Sequence, residues 1–474
     1  MLEAIVNPLK EFRSKIYHFF SSRRDTSFEL VDALSSNTHA RSIVELSLSP
    51  AHRRNYCSIT RVLDEFYPGN TDKKLKHDLL VKILTEQCTQ TESRGYYLFG
   101  VDCTPNPRRY APTQKDRGFV YAPNTISGNK PVTIGHQYSL VTFLPEKENK
   151  DAPPWVVPLS CARVATAEKG TYVGMKQISE CINAQDAFKN SLCISVADSA
   201  YSNAESILEA SKNHNQVHIS RLRSNRVLYY PAAEEDKNTV KLGRKKCYGN
   251  PFRLKDSETQ QEPDETLAFE ATSKKGKKQT VKVSCWNKII MRGKQKANIS
   301  DCSMRLLKVC VYKESGELLF KKPLWLMVVG GRRFELSLCD IFNCYRQHFD
   351  IEHFFRFGKN KMLLNKAQTP ELDHEEAWWQ ICVIAYTQLY LARQLANNVP
   401  TPWGKYLKSD STIMPPTKVQ KDFGRIIQAI GTPALFPKRR KKAPGRQKGD
   451  TQTRRVRHQI IMKQKTAQPI AITP

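Results

Sequence analysis

Two aspartates close apolar runs in this chain, Asp102 in FGVDCTPNP and Asp198 in CISVADSAYSN. Each is expected to emerge where a strand leaves its sheet, the place where α/β folds put reacting groups. Such an aspartate, taken alone, is more often a loop or cap residue than a ligand. A third acid comes from CYRQHFDIEHFFRFGKNKM, in which Tyr345, His348, Glu352 and Lys359 follow at intervals of three, four and seven. At ~100° per residue, seven positions make nearly two turns, so this spacing predicts one helical stripe carrying all four side chains. Phe349, Ile351, Phe354 and Phe355 would fasten the neighbouring face to a sheet, leaving Glu352 among polar and basic groups. An amphipathic helix with a Glu/Lys-decorated surface gives the same pattern for any one pair. Gly358 is expected to end the helix just before Lys359. Carboxylates are hard oxygen ligands suited to Mg²⁺ or Mn²⁺. The 13 cysteines nowhere take the C-x-x-C spacing of a zinc ribbon or a thioredoxin-like pair. Cys302, Cys310, Cys339 and Cys344 read as small, reduced, buried hydrophobes, which suits an intracellular protein.

The elements that must position these acids divide the chain by texture. Residues 1–90 read as a helical domain, with helix starts at Ser49-Pro50 and Thr71-Asp72. Within it, Thr38 to Phe66 fits either a helix-turn-helix carrying His52, Arg53, Arg54 and Arg61 or an ordinary bundle with a solvated basic face. From 91 to 228 short apolar runs predict strands at Tyr96–Val101, Tyr138–Leu144, Trp155–Leu159, Leu192–Ala197 and Val217–Leu222, with a helix beginning near Glu205. Strands alternating with helices imply an α/β layer. Residues 229–336 alternate as in an antiparallel β insertion, broken by Lys-rich loops such as Lys274-Lys275-Gly276-Lys277-Lys278. Trp286 and Trp325 sit in its strand-like runs, where core or sheet-face packing is a commoner fate than base stacking. Helix returns in 337–400: Ser337 with Asp340 approximates a capping box opening a helix through about Phe357, and Asp373 with Glu376 opens another through about Leu395. Residues 401–474 lose periodicity and read as a basic, largely flexible tail, since 438–457 holds ten Lys or Arg against Asp450, interrupted by Pro444, Gly445 and Gly449.

Charge narrows the partner. The formal net charge is +29, from 75 Lys and Arg against 46 Asp and Glu, which favours a long polyanion over a small acidic metabolite. With 40% hydrophobic residues the chain can bury a sizeable core. The most apolar stretch, Ile381 to Leu391, contains Thr387 and Gln388 and is too short to span a bilayer. The start, MLEAIVNPLKEFRSK, lacks the apolar core of a signal peptide. These features predict a soluble cytoplasmic protein without a membrane partner.

Two strand-end aspartates followed by Y-x-x-[R/H]-x-x-x-E-x-x-x-x-x-x-K, flanked by FDIEHFFRFGKNK, resemble the signature of DDE transposases of bacterial insertion sequences. The likeness covers roughly residues 90–400, including the β-rich insertion typical of cut-and-paste elements of the Tn-five type. It implies an RNase H-like catalytic domain and a catalytic, metal-binding triad of Asp102, Asp198 and Glu352, with Tyr345 and Lys359 contacting DNA near the cut. Where the family pattern carries Arg this chain has His348, with Arg346 and Arg356 close enough to substitute. The resemblance further implies two Mg²⁺ or Mn²⁺ ions, double-stranded DNA as element end and target, a homodimer in the DNA complex and a nucleoid-associated bacterial location. Cleavage at element ends and strand transfer into target DNA would follow. The alternatives are an RNase H-like nuclease without strand transfer and a non-catalytic DNA-binding derivative.

Overall fold

The computed structural model describes residues 2–67, 70–89, 93–123, 130–148, 152–232, 247–273, 276–293, 299–399, 413–439, 445, 447–451 and 453–462. Helices α1 (Leu2–Phe19), α2 (Arg24–Ser35), α3 (Ile43–Leu46), α4 (Tyr56–Asp64) and α5 (Asn70–Thr85) come first. The chain then alternates through β1 (Tyr96–Pro107), β2 (Gly118–Tyr121), β3 (Val132–Phe143), β4 (Val157–Val164), α6 (Gly170–Asn183), α7 (Asp186–Lys189), β5 (Leu192–Ala197), α8 (Ala204–Ser211) and β6 (Gln216–Leu222). Strands β7 (Val227–Pro231), β8 (Tyr248–Arg253), β9 (Glu265–Thr272), β10 (Lys278–Ile289), β11 (Met304–Lys313) and β12 (Leu324–Val329) precede α9 (Leu338–Gln347), α10 (Asp350–Lys361), α11 (Leu372–Leu391) and α12 (Pro416–Ile430).

This is a mixed α/β fold around a ten-stranded sheet of order β2-β3-β1-β5-β6-β12-β11-β10-β9, with β4 on β3. Its middle, β1-β5-β6, is parallel, and the flanks are antiparallel. All five apolar runs of residues 91–228 became strands. The alternating segments beyond 229 also became strands, with β12 pairing directly on β6, so the antiparallel part prolongs the central sheet. Only β7 and β8 pair apart from it. Trp286 and Trp325 are 5% and 1% exposed and pack around Phe252, which takes them out of reach of any nucleic-acid base. Lys274 and Lys275 lie outside the described residues.

Helices cover both faces. A side chain at Gly100 would strike Ile351 of α10, while Gly174 of α6 lies against Val101. Successive strand residues point to opposite faces, so α10 and α6 lie on opposite sides of β1. The axis of the helical layer is α11, buried along almost its entire length. Its apolar stretch is therefore an interior helix, and among the described residues no helix is long and apolar enough to cross a membrane. Its polar groups find partners: Gln380 donates to the Cys161 carbonyl at 2.7 Å, Thr387 to the Val383 carbonyl at 3.0 Å, and Gln388 to Ser35 Oγ at 3.0 Å.

Several expectations are corrected. Ser49-Pro50 opens only a turn, and the next helix begins at Tyr56. The stretch read as a possible helix-turn-helix offers no recognition pair: α3 has 4 residues and His52 is buried. Arg53 and Arg54 pair with buried Glu29 and hold the carbonyls of Ala434 and Leu435, leaving Arg61 exposed. The helix from Ser337 has its capping box but stops at Gln347 and restarts at Asp350. Gly358 does not end the second piece, which runs to Lys361. Of the four cysteines expected to be buried, Cys344 is, whereas Cys302, Cys310 and Cys339 are half-buried; all are free thiols. The stretch read as tail contains α12, whose Val419, Phe423 and Ile426 are buried, and its residues 401–412, 440–444 (Pro444 among them), 446, 452 and 463–474 lie outside the described residues.

Candidate functional site

The sheet register brings the two aspartates together. Val101 of β1 pairs with Ala197 of β5, and Ala197 with Ser220 of β6. The next residues, Asp102, Asp198 and Arg221, therefore stand side by side on three neighbouring strands ~4.8 Å apart. Of the two aspartates only Asp198 ends its strand, whereas Asp102, expected at a strand end, lies inside β1 where its parallel pairing with β5 stops and its antiparallel pairing with β3 runs on to Pro107. Alternation along β1 puts Gly100, Asp102 and Thr104 on the face covered by α10. Ile351 seats that helix on Gly100, and its neighbour Glu352 emerges exposed in the first turn. Two turns on, Lys359 donates from Nζ to Thr104 Oγ1 at 2.5 Å. One strand face, at Gly100, Asp102 and Thr104, thus lies under one helix, through Ile351 packing on Gly100 and Lys359 bonding Thr104.

Electrostatics register the crowding. Burial, the Asp198 charge and the Glu352 charge push the Asp102 carboxyl up to about 7, against the opposing Cys103 N–H and Lys359. The Cys103 N–H donates to Asp102 Oδ1 at 2.7 Å, and the Ala200 N–H to Asp198 Oδ1 at 2.8 Å. Burial lowers the Lys359 pKa, with Asp102 acting the other way.

The joint between α9 and α10 sets the remaining side chains. His348 is 9% exposed and its Nε2 lies 3.3 Å from the Val101 carbonyl, one residue before Asp102. Burial lowers its pKa, against the Val101 carbonyl and the Asp198 charge, and the ring packs the joint against β1 instead of pointing outward. Tyr345 stacks on His348 with centroids 6.2 Å apart. Burial raises the Tyr345 pKa, while the nearby Arg221 charge opposes that rise. Arg346 is exposed over the Phe342 ring and lines a groove of about 790 Å³ with Arg94, Phe269 and Asp350; none of the three carboxylates lines it. Arg356 is exposed on α10. The structure therefore gathers Asp102, Asp198, Glu352, Lys359 and Tyr345, and turns His348 inward and Arg346 aside. Arg221 and Thr104 were missed by sequence reasoning. The run R-L-R-S-N-R ending β6 at a parallel strand's carboxyl end was the available signal for Arg221.

The donor set fits a hard divalent cation. Among the described residues no three His, Cys, Asp or Glu side chains are drawn together as a bound metal would draw them. The carboxylates are nevertheless within charge range of one another, and Glu352 is exposed with no ion-pair partner among the described residues. The like-charge cost at Asp102 is one that a bound cation would remove.

A family model described as DDE superfamily endonuclease matches residues 16–286. No curated protein matches the chain.

Proposed function

The chain belongs to the DDE superfamily endonucleases, matched over more than half its length, and on that premise we propose that it is a DNA transposase of the insertion-sequence type. Membership supports transposase or nuclease-like chemistry on DNA; cutting at element ends and joining to target DNA is the finer reading offered here. The observation that carries it is the side-by-side placement of Asp102, inside β1, and Asp198, just past the end of the neighbouring parallel strand β5, faced by Glu352 from a helix seated on β1. The family match ends before Glu352, so its role rests on this placement and on the Tyr345, Glu352 and Lys359 spacing.

In this reading Asp102, Asp198 and Glu352 would hold two Mg²⁺ or Mn²⁺ ions. When bound, these favour deprotonation of the attacking oxygen and neutralise charge on the leaving oxygen. Lys359 and the Tyr345–Arg221 pair border the carboxylates and bind and orient the DNA backbone beside the scissile phosphate. His348 holds the α9–α10 joint on the Val101 carbonyl and so fixes where Glu352 stands. A freed 3′-OH can then take the place of water as nucleophile at the same carboxylates. Two such ends held together call for a homodimer in the DNA complex.

The test is Mg²⁺-dependent cleavage and strand transfer on DNA flanking the gene's own locus, with Asp102→Ala, Asp198→Ala and Glu352→Ala beside the native chain. Each variant is expected to lose both steps by roughly 10³-fold or more while still binding DNA. Cleavage without joining would assign a nuclease; binding without chemistry in the native chain would assign a non-catalytic derivative.

A further inference from the structure

We propose that residues 453–462 and the loop after β1 together form a second DNA-binding surface, a docked basic strand that grips backbone phosphates on the flank of the cut. This inference rests on the reading of the chain as a DNA enzyme. The segment lies within the stretch read as flexible tail, yet its backbone is clamped. His458 N–H donates to the Pro112 carbonyl at 2.8 Å and Ile461 N–H to the Arg117 carbonyl at 2.8 Å. Arg117, 4% exposed, donates to the His458 carbonyl at 3.2 Å, and also to the Gln114 and Arg108 carbonyls. The clamp is anchored in turn: the neighbouring Arg108 is fixed on buried Glu375 and on the Asn365 and Ala367 carbonyls.

The surface so made is basic and open. Arg109, Arg454, Arg455 and Arg457 are exposed, and among the described residues none of them has a carboxylate partner. Asp116, the acid of the loop, is taken up by Arg163. Tyr110 is 87% exposed with Arg109 5.5 Å from its ring centroid, a cation beside an open aromatic face. Arg109, Tyr110 and Arg455 share the wall of a groove of about 320 Å³. Unpaired guanidinium groups held on a fixed backbone suit a regular row of phosphates, and duplex DNA offers one. The position agrees: the five residues from Asp102 to Pro107 at ~3.3 Å each put the loop about 17 Å from the carboxylates. That is roughly half a turn of B-DNA.

The experiment is fluorescence-anisotropy titration of the full chain with a labelled linear DNA duplex of arbitrary sequence over a series of salt concentrations. Two variants are compared with the native chain. R454A/R455A/R457A removes the charges, and H458P/I461P removes both clamping N–H groups while keeping every arginine. Both are expected to bind about 10-fold or more weakly, and the charge variant to lose about 2–3 from the slope of log K against log salt. If the charge variant weakens but the proline variant binds as the native chain does, the arginines work from an undocked tail and the proposal is overturned. Native-like binding by both also overturns it while leaving the DNA reading intact. Failure of the native chain to bind duplex at all would sink the DNA reading itself.

Discussion

Asp102 is held in a place that disfavours its own charge. Below about pH 4 the carboxyl is neutral in both folded and unfolded chains and costs nothing. As pH rises from there through about 7, the unfolded chain gains from ionising before the folded one does, so the residue's contribution to stability is lost across that window. Asp102→Asn is therefore expected to raise stability at pH 8 by on the order of 2 kcal/mol, allowing for partial solvent access, and to leave it unchanged at pH 4. Urea unfolding at the two pH values checks this. Mg²⁺ should raise the melting temperature of the native chain at pH 8 and do so far less for the Asn variant; equal shifts would remove Asp102 from the metal site. His348 invites the opposite substitution, because arginine stands there in the transposase signature that the sequence resembles. Since the imidazole is buried on the Val101 carbonyl, His348→Arg is expected to destabilise by roughly 2–4 kcal/mol and to lower cleavage. A gain in cleavage would mean that the side chain turns outward to DNA.

Helix α10 reaches β1 because Gly100 has no side chain to meet Ile351. Gly100→Val should push the helix away, cost roughly 1–3 kcal/mol and reduce cleavage more than stability. Ile351→Ala in the same chain should restore part of both, a coupling readable in a double-mutant cycle. The continuation of β1 past Asp102 to Pro107 was not legible in the sequence, because TPNP, with two prolines, reads as loop and is held as strand by its pairing with β3. The central strands were legible from their apolar runs. The capping box at Ser337 was equally legible and is present. The break at His348 was not, because a stripe of Tyr345, His348, Glu352 and Lys359 looks the same on one helix or on two joined by i→i+3 bonds such as Ile351 N–H to the His348 carbonyl. Nor does periodicity say that His348 faces the sheet, since its partner is a backbone carbonyl far away in sequence. Helix α12 could have been found: proline at its start and Val419, Phe423 and Ile426 at helical spacing are ordinary signals, masked by the basic residues that follow.

The amino-terminal helices and the sheet share α11 as a common interior, so they should unfold together, in one urea transition by fluorescence and by circular dichroism. The join is polar as well as apolar. Arg13 pairs with Asp32 at 2.5 Å, both buried, and also reaches Gln388 and the Gly431 carbonyl. Arg13→Ala strands a buried carboxylate and is expected to cost roughly 3–5 kcal/mol in the same experiment. Glu375 plays a similar part at the other end of α11. Burial would raise its pKa, but His136, Arg108 and Gln114 outweigh it and hold the carboxyl near 2. Its contribution is full above about pH 4.5 and fades as pH falls towards 2, so Glu375→Gln should weaken the protein at pH 7 and matter little at pH 2. Arg13 also has a history within each molecule's lifetime. It is made 375 residues before Gln388 and 418 before Gly431. Until those partners are made α1 and α2 hold apolar faces and a charge pair that α11 has yet to cover, a nascent state suited to chaperone capture.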